Sequence, residues 1–181
     1  MRIAVTGGIA EGKSTVLGMI QQAGLETVSA DQVAAEVFAR PAVRIAIGEL
    51  MDLPYDFTRE DVRRRLVSNP AARRALNALT HPLIWRALQE SDAECIEMPL
   101  LIETCLSGHF DRVWVVTCGA EEQLRRLTAR LADADAAAEL QSLQLATRAK
   151  IPFADQVIRT NQPLESVERD VLACLHAEHL L

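Results

Sequence analysis

A short stretch near the start of the chain carries the residue types that bind phosphate. Residues 6–15 read TGGIAEGKST and fit the pattern G-x-x-x-x-G-K-[ST], whose fixed positions here are Gly7, Gly12, Lys13 and Ser14. Glycine lets the backbone come close to a phosphate, and the start of a helix adds unpaired N–H groups and a positive dipole. The pattern predicts a nucleotide site in which the lysine reaches the β- and γ-phosphates and the serine hydroxyl contacts Mg²⁺.

The flanking residues place this loop between a strand and a helix. Residues 2–5 form a short apolar run, which is typical of a buried parallel strand. Val16, Leu17, Met19 and Ile20 have spacings that suit one buried face of a helix after the loop. A glycine-rich turn with an incidental lysine is the alternative interpretation, but the strand before and the helix after favour nucleotide binding.

Two acidic residues follow predicted strands. Asp31 comes after the second strand, residues 25–29, in the first turn of a predicted helix, and Glu103 lies near the end of the third strand, residues 94–98. Ligands collect at the carboxyl ends of strands in open α/β sheets, so a carboxylate there can accept or orient the proton of an attacking hydroxyl. An aspartate in a first turn can also merely complement the helix dipole, and position alone leaves both interpretations open for Asp31.

A helical block with clustered arginines separates the second and third strands. Thr58 is the predicted cap of a helix with Arg63 to Arg65 toward its end. Asn69-Pro70 starts the next helix, which is predicted to end before His81-Pro82, where a further helix begins. A basic cluster in an acidic protein is either a solvated helix face or a pocket for an anionic acceptor.

The second half of the chain returns to alternating strands and helices. Residues 112–117 and 154–159 are the fourth and fifth predicted strands, and the helical segment between them carries Arg125, Arg126 and Arg130 at helical spacing. Such alternation predicts a parallel sheet with helices on both faces. An arginine-rich helical hairpin after the fourth strand is either a lid that closes on ATP or a surface hairpin with ordinary salt bridges.

Composition narrows the class of protein. With 181 residues and a formal net charge of -6, the chain is expected to form one globular domain that does not bind nucleic acid in general. Its N-terminus shows no secretory signal and no apolar run is long enough to cross a membrane, so a cytoplasmic protein is expected. The spacing of the four cysteines suggests neither a zinc knuckle nor a redox motif; they are Cys95, Cys105, Cys118 and Cys174.

Taken together, these residues resemble the dephospho-coenzyme A kinase family over nearly the whole chain. The resemblance rests on the order and spacing of several motifs, which are Gly7-Gly8-Ile9 with Gly12-Lys13-Ser14-Thr15, Ala30-Asp31, Asn69-Pro70, His81-Pro82-Leu83-Ile84, Pro99-Leu100-Leu101-Ile102-Glu103, Gln144 with Lys150, and Ala154-Asp155-Gln156-Val157-Ile158. It implies a three-layer α/β P-loop kinase fold with a five-stranded parallel sheet of order 2-3-1-4-5. It also implies one domain over residues 1–181, with a helical acceptor-binding region at 40–91 and a lid at 119–150.

The resemblance also implies a reaction and its residues. The reaction is ATP-dependent phosphorylation of the ribose 3′-hydroxyl of dephospho-coenzyme A, with Mg²⁺ as cofactor, by a monomer or weak oligomer. The implied catalytic residues are Asp31, Lys13 and Arg130. Acceptor contacts fall to Asp31, Arg59, His81 and Glu103. Contacts to ATP fall to Gly7, Gly8, Ala10, Glu11, Gly12, Lys13, Ser14 and Thr15, and Ser14 is also the metal ligand.

Several positions depart from the family pattern. Ser29, Thr58 and Leu131 replace polar or acidic residues, the run at 159–162 differs, and the stretch 40–57 is short. These departures concern acceptor and adenine binding more than phosphate chemistry. Two other functions therefore stay open, which are a P-loop kinase for a nucleoside monophosphate or small metabolite and a nucleotide-binding protein without turnover. A GTPase is disfavoured because the chain has no Asn-Lys-x-Asp sequence.

Overall fold

Five strands form one sheet in the computed structural model, which describes residues 1–67 and 69–181. The sheet order is β2-β3-β1-β4-β5, and β1 pairs in parallel with β3 and β4, as β4 does with β5. This confirms the predicted order and the predicted fold class. The strands are β1 (Ile3–Thr6), β2 (Thr27–Ser29), β3 (Cys95–Glu97), β4 (Arg112–Thr117) and β5 (Gln156–Arg159).

Helices connect the strands. None of those in the described residues has both the length and the apolar character needed to cross a membrane. Short 3₁₀ turns lie at Ser107–His109 and Ile151–Phe153. The α-helices are α1 (Lys13–Gln22), α2 (Ala30–Ala39), α3 (Pro41–Met51), α4 (Arg59–Val67), α5 (Pro70–Glu90), α6 (Ala120–Leu131), α7 (Ala134–Ser142), α8 (Thr147–Lys150) and α9 (Leu164–Ala177).

The chain divides into two compact units. The first comprises residues 1–28 and 93–181, and the second comprises residues 29–92. The predicted acceptor-binding region lies within the second unit, and the predicted lid lies within the first. The functional division of the chain into these subregions stays a prediction.

The first unit is built around the apolar strands of the sheet. Its core joins side chains of β1, β3, β4 and β5 to the inner faces of α1 and α9, with Trp114 and Ile158 fully buried. All four residues of β1 are buried, which explains why the strand begins with the apolar run from Ile3 to Val5. The parallel register pairs Val5 of β1 with Glu97 and with Trp114. As a result, the segments that follow β1, β3 and β4 emerge at the same edge of the sheet.

Within residues 29–67 and 69–92, the regular elements of the second unit are helices, apart from Ser29 of β2. Helices α2, α3 and α4 each pack against α5. Thr58 and Asp61 exchange hydrogen bonds at the start of α4, with each side chain accepting from the backbone N–H of the other residue. Asn69 caps α5 by accepting from the N–H of Ala72 at 3.0 Å. These contacts confirm both predicted caps.

Helix α5 runs through Pro82 without interruption, so the predicted break at His81-Pro82 is wrong. Proline removes one helical N–H and crowds the carbonyl four residues earlier, here that of Ala78. His81, Pro82 and Ala78 are all exposed, so water can hydrogen-bond the carbonyl that loses its helical partner. The packing of α2 and α3 against α5 compensates for the missing bond.

Replacing Pro82 by alanine should therefore stabilise the protein. A proline in a helix interior costs about 3 kcal/mol relative to alanine, whereas the freedom that alanine adds to the unfolded chain opposes this by up to about 1 kcal/mol. We expect urea denaturation of Pro82→Ala to show a free energy of unfolding about 2 kcal/mol higher. Pro70→Ala is the matched control, because a proline at the first position of α5 leaves no helical bond unmade. A lower value for Pro82→Ala than for the control would contradict this account.

Candidate active site

The phosphate-binding loop, residues 7–12, joins the end of β1 to the start of α1 as predicted. Gly12 has φ 92° and Ala10 has φ 61°, both in the left-handed region. The carbonyl of Gly12 accepts the first helical bonds from Thr15 and Val16, each at 3.1 Å. A Cβ atom on Gly12 would lie 3.0 Å from Oγ of Thr160. Both its backbone angle and its surroundings therefore require glycine at this position.

Lys13 is buried at the first position of α1. Its ammonium donates to the carbonyl of Gly8 at 2.8 Å and lies 4.0 Å from Oε1 of Glu97, the last residue of β3. All of these partner atoms are oxygens, the atom type that a phosphate also offers. Ser14 and Thr15 are exposed on the first turn of the same helix.

The end of the predicted lid contacts this loop. The N–H of Ile9 donates to Oε1 of Gln144 at 3.0 Å, and the N–H of Gly8 donates to Oγ of Thr147 at 3.1 Å. Gln123 in α6 donates from Nε2 to the carbonyl of Ile9 at 2.9 Å. Protein oxygens therefore satisfy two N–H groups of the loop that the sequence pattern predicts to face a phosphate.

Lys150 is fully buried at the end of the predicted lid. Its Nζ lies 2.8 Å from Oε1 of Glu103 and donates to the carbonyl of Pro99 at 2.8 Å. The N–H of Leu145 also donates to Oε1 of Glu103, at 3.3 Å. A buried lysine needs such partners. In this structure Glu103 pairs with Lys150. The contact of Glu103 with the acceptor stays a prediction.

Arg126 connects α6 to the end of β5. It donates to Glu122 at 2.8 Å and to the carbonyl of Thr160 at 2.7 Å. Hydrogen bonds from Arg125 and from Arg126 lower the pKa of Glu122 to about 2. These residues border a cleft of 870 Å³ beyond the carboxyl ends of β4 and β5, a size that suits an organic ligand.

Arg130 lies in the last turn of α6, whereas Glu122 lies in the first turn of the same helix. It is exposed, and within residues 1–67 and 69–181 its guanidinium forms no hydrogen bond or ion pair. It therefore differs from Arg125 and Arg126, which are both bound to Glu122. An unpaired guanidinium on an arginine-rich helix is available to an anionic ligand.

A second cavity, of 720 Å³, lies within the helical unit. Apolar side chains and arginines line it together, a combination that suits a ligand with both apolar and anionic parts. The apolar lining includes Phe38, Phe57, Val62, Leu66 and Leu76, and the charged lining comprises Asp31, Arg44, Arg59, Arg63 and Arg73.

The arginines of the helical unit fall into different groups. Arg64 pairs with Asp61 on its own helix. Arg44 donates to the carbonyl of Phe57 at 2.8 Å and its guanidinium lies 4.3 Å from the centre of that ring. Arg44 therefore supports the wall of the cavity as well as lining it. The basic cluster seen in the sequence is thus partly structural and partly directed at the cavity.

The structure brings two of the predicted acceptor residues together. Asp31 lies in the first turn of α2, and Arg59 is the first residue of α4. Both line the 720 Å³ cavity. His81 is exposed on α5 and is not one of the residues described as lining this cavity.

The chain matches one protein family over most of its length. The family model for dephospho-CoA kinase matches residues 1–166. The chain belongs to the dephospho-CoA kinase family. The dephospho-CoA kinase of Hydrogenovibrio crunogenus is 34% identical to it, in an alignment that covers 95% of each chain.

Solved structures agree with the fold of the dephospho-CoA kinase family. The crystal structure of TT1252 from Thermus thermophilus superposes with a TM-score of 0.84 at 26% identity, covering 98% of this chain and 97% of that one. Dephospho-CoA kinase from Campylobacter jejuni superposes with a TM-score of 0.63 at 21% identity, covering 97% and 96%. The second match, at this identity, supports the shared fold alone.

Several side chains at the phosphate-binding loop of this dephospho-CoA kinase family member lie outside the predicted set. Glu97 could have been found from the sequence, because a carboxylate at the end of an otherwise apolar strand is unusual. Thr117, Thr147 and Thr160 could not, because they come from distant segments and meet only in the folded chain. Among the arginines, Arg63 could have been selected because it lies one helical turn after Arg59.

Alanine substitutions at two glycines should have opposite effects on stability. Gly12→Ala forces a left-handed residue with a side chain against Thr160, so we expect the free energy of unfolding to fall by at least about 1–2 kcal/mol. Gly18 lies within α1, where a Cβ atom would meet nothing within 4 Å. Gly18→Ala should raise the free energy of unfolding by about 0.5–1 kcal/mol. If thermal denaturation gives the same change in Tm for Gly12→Ala as for Gly18→Ala, the loop adapts to a side chain at residue 12.

Proposed function

We propose that this chain transfers the γ-phosphoryl group of ATP to the ribose 3′-hydroxyl of dephospho-coenzyme A, giving coenzyme A and ADP. The observation that carries this proposal is the match of residues 1–166 to the family model. That range includes the phosphate-binding loop, the helical unit and the arginine-rich helix α6. We therefore assign the loop, the helical unit and helix α6 to the binding of the two substrates.

The proposed reaction is an in-line displacement at phosphorus. The acceptor oxygen forms a bond to the γ-phosphorus while the bond from that phosphorus to the β–γ bridging oxygen breaks. The electron pair of the broken bond leaves on ADP, and the hydroxyl proton passes to a base. Because bond breaking leads bond making in most such reactions, the protein contributes mainly by positioning the groups and offsetting their charge.

ATP is assigned to the loop of the first unit. Lys13 would exchange the carbonyl of Gly8 for phosphate oxygens, and the start of α1 would add its N–H groups and dipole. The cleft bordered by Arg126 and Thr160 has the volume for the adenosine part. The unpaired guanidinium of Arg130 is the group that we assign to the transferring phosphoryl.

The oxygen donors near the loop fit Mg²⁺. Ser14 exposes a hydroxyl on the first turn of α1, and Glu97 ends β3 with a carboxylate close to Lys13. Both are the hard donors that Mg²⁺ prefers alongside phosphate oxygens. Ser14 and Glu97 would hold the ion, which would offset the negative charge of the phosphates when bound.

Dephospho-coenzyme A is assigned to the cavity of the helical unit. Arg59, Arg63 and Arg73 line it and carry the charge needed for the diphosphate of this acceptor. Phe38 and Leu66 supply apolar surface for its less polar portions. This combination distinguishes the cavity from one built for a small and uniformly polar metabolite.

Asp31 is assigned the role of accepting or steering the proton of the acceptor hydroxyl. Its carboxylate is exposed at the start of α2 and lines the same cavity as Arg59. His81 and Glu103 remain predicted acceptor contacts. A cytoplasmic location is also part of the proposal, because the free cysteines of the chain suit a reducing compartment. The expectation of a monomer or weak oligomer remains a prediction.

Product analysis tests the function directly. The protein is incubated with ATP, Mg²⁺ and dephospho-coenzyme A, and coenzyme A and ADP are measured by mass spectrometry. Parallel reactions offer nucleoside monophosphates and small hydroxylated metabolites as acceptors. Turnover with dephospho-coenzyme A alone supports the proposal, turnover with another acceptor replaces it, and ATP binding without any product favours a nucleotide-binding protein without turnover.

Asp31→Asn should keep the fold and lose most of the turnover. Asparagine cannot accept a proton and has only one acceptor oxygen. General acid–base catalysis contributes about 10²–10⁴-fold, and the dissociative character of phosphoryl transfer places the expected loss of kcat in the lower half of that range. If Asp31 only complements the dipole of α2, asparagine replaces it with little cost in stability and none in rate. Measurement of kcat and Tm on one preparation separates the two roles.

Arg130→Ala should lower kcat more than it weakens the binding of ATP to the resting protein. A lid residue acts mainly in the closed state, and loss of one charge-stabilising donor costs about 10²-fold in kcat. Arg86→Ala is the control, because Arg86 is also exposed but pairs with Glu90 on α5. If Arg130→Ala changes only the KM for ATP, the arginine contributes uniform binding rather than stabilisation of the transition state.

A further inference from the structure

Glu11 occupies an unusual position for a charged side chain. It lies in the phosphate-binding loop directly before Gly12, yet only 1% of its surface is exposed. Charged residues are almost never fully buried unless they are paired. Its burial therefore requires specific partners beneath the loop.

Its partners come from four different segments of the first unit. One carboxylate oxygen, Oε2, accepts from the N–H of Gly8 at 2.5 Å and from the hydroxyl of Thr147. The other, Oε1, accepts from the hydroxyl of Thr117 at 3.0 Å. The backbone carbonyl of Glu11 accepts from the hydroxyl of Thr160 at 2.7 Å. The loop, the start of α8 and the ends of β4 and β5 thus meet at one residue.

Two lysines of the first unit have carboxylate neighbours of their own. Lys13 lies beside Glu97, and Lys150 is paired with Glu103. The hydrogen bonds to the Glu11 side chain come from neutral donors, and the positive end of the α1 dipole also favours a negative charge there. These are the forces that a loop of this type uses to hold a phosphate. The carboxylate is therefore a built-in anion on the inner side of the loop.

The contact with Thr147 extends this effect to the lid. Thr147 begins α8, and Gln144 just before it accepts from the N–H of Ile9. The segment that ends the lid is consequently bound to the loop at two neighbouring N–H groups. A change at Glu11 would release both the inner face of the loop and the point where the lid returns to the sheet.

We propose that Glu11 is a positioning residue for ATP, which shapes the phosphate-binding loop from inside and couples it to the lid through Thr147. This inference rests on the assignment of ATP to the loop made above. It gives Glu11 a role through Gly8 and Thr147 rather than a direct contact between its side chain and the nucleotide.

The role depends on acceptor atoms and shape, so conservative variants should retain it. In Glu11→Gln the amide oxygen can accept from Gly8 and Thr147, while the amide N–H₂ can donate to Thr117, whose hydroxyl can act as acceptor. Thr147→Ser likewise keeps the hydroxyl. Glu11→Ala and Thr147→Val remove the bond from either side, and Thr147→Val does so with little change of volume.

The experiment measures the Kd for ATP by calorimetry and the KM values for ATP and dephospho-coenzyme A, at a temperature where all variants are folded. Glu11→Ala and Thr147→Val should each raise the Kd and KM for ATP by about tenfold, the factor expected for a lost hydrogen bond to a buried charge. The KM for dephospho-coenzyme A should stay within about twofold of wild type. Glu11→Gln and Thr147→Ser should stay within the same margin for ATP.

A double mutant and a matched control complete the test. Glu11→Ala with Thr147→Val should raise the Kd for ATP by less than the product of the two single effects, because the hydrogen bond between Thr147 and Glu11 is lost in both single variants. Thr80→Val is the control, because Thr80 is also buried but its hydroxyl donates to the carbonyl of Leu76 in its own helix. It should leave the Kd for ATP unchanged.

Each outcome supports or overturns the proposed role of Glu11. An unchanged Kd for ATP in Thr147→Val, or additive effects in the double mutant, overturns the coupling even if Glu11→Ala fails to fold. A loss of Tm with unchanged Kd and KM values shows a purely structural role and also overturns the proposal. A wild-type protein that binds ATP but lacks turnover refutes the proposed function alone, and the Kd values then judge the role of Glu11.

Discussion

The first unit depends on one constraint, which is that the N–H groups of the phosphate-binding loop have no helical partners and need other acceptors. A loop that enters a helix N-terminus leaves donors without helical partners, and buried donors must find acceptors. In this structure Gly8 binds Glu11 and Thr147, and Ile9 binds Gln144. The sheet register brings the strand ends to this edge, and Gln144 and Thr147, at the end of the predicted lid, supply further acceptors. The sequence pattern predicts that these N–H groups face a nucleotide phosphate, and protein oxygens take that place in this structure.

The two units differ in the burial of their charged side chains. In the first unit three charged side chains near the phosphate-binding loop, Glu11, Lys13 and Lys150, are buried, and each has hydrogen-bond partners. In the second unit the arginines are mostly exposed, and several line a cavity with apolar walls. The arrangement suits a phosphotransferase with two anionic substrates. Buried groups fix the geometry of the loop, where small displacements are costly, and exposed groups leave the other site accessible to a larger ligand.

The sequence predicts the features that depend on local pattern. The loop, its flanking strand and helix, and the caps at Thr58 and Asn69 follow from short motifs, and the sheet order follows from the family resemblance. The continuous helix α5 could not be predicted, because the cost of Pro82 is local whereas the packing that offsets it comes from other helices. The burial of Glu11 was equally inaccessible, because its threonine partners lie more than a hundred residues away along the chain.

The central place of β1 in the sheet has a consequence for synthesis of the chain. This strand is synthesised before its two neighbours, β3 and β4, which begin only at Cys95 and Arg112. It therefore remains without its sheet partners while residues 7–94 are translated. Translation proceeds at about 5–20 residues per second, so this apolar segment stays unpaired for several seconds. The helices of residues 29–92 depend on contacts within that range and can form during the interval. The order of the strands thus makes the nascent chain, more than the finished protein, the state that needs protection from aggregation.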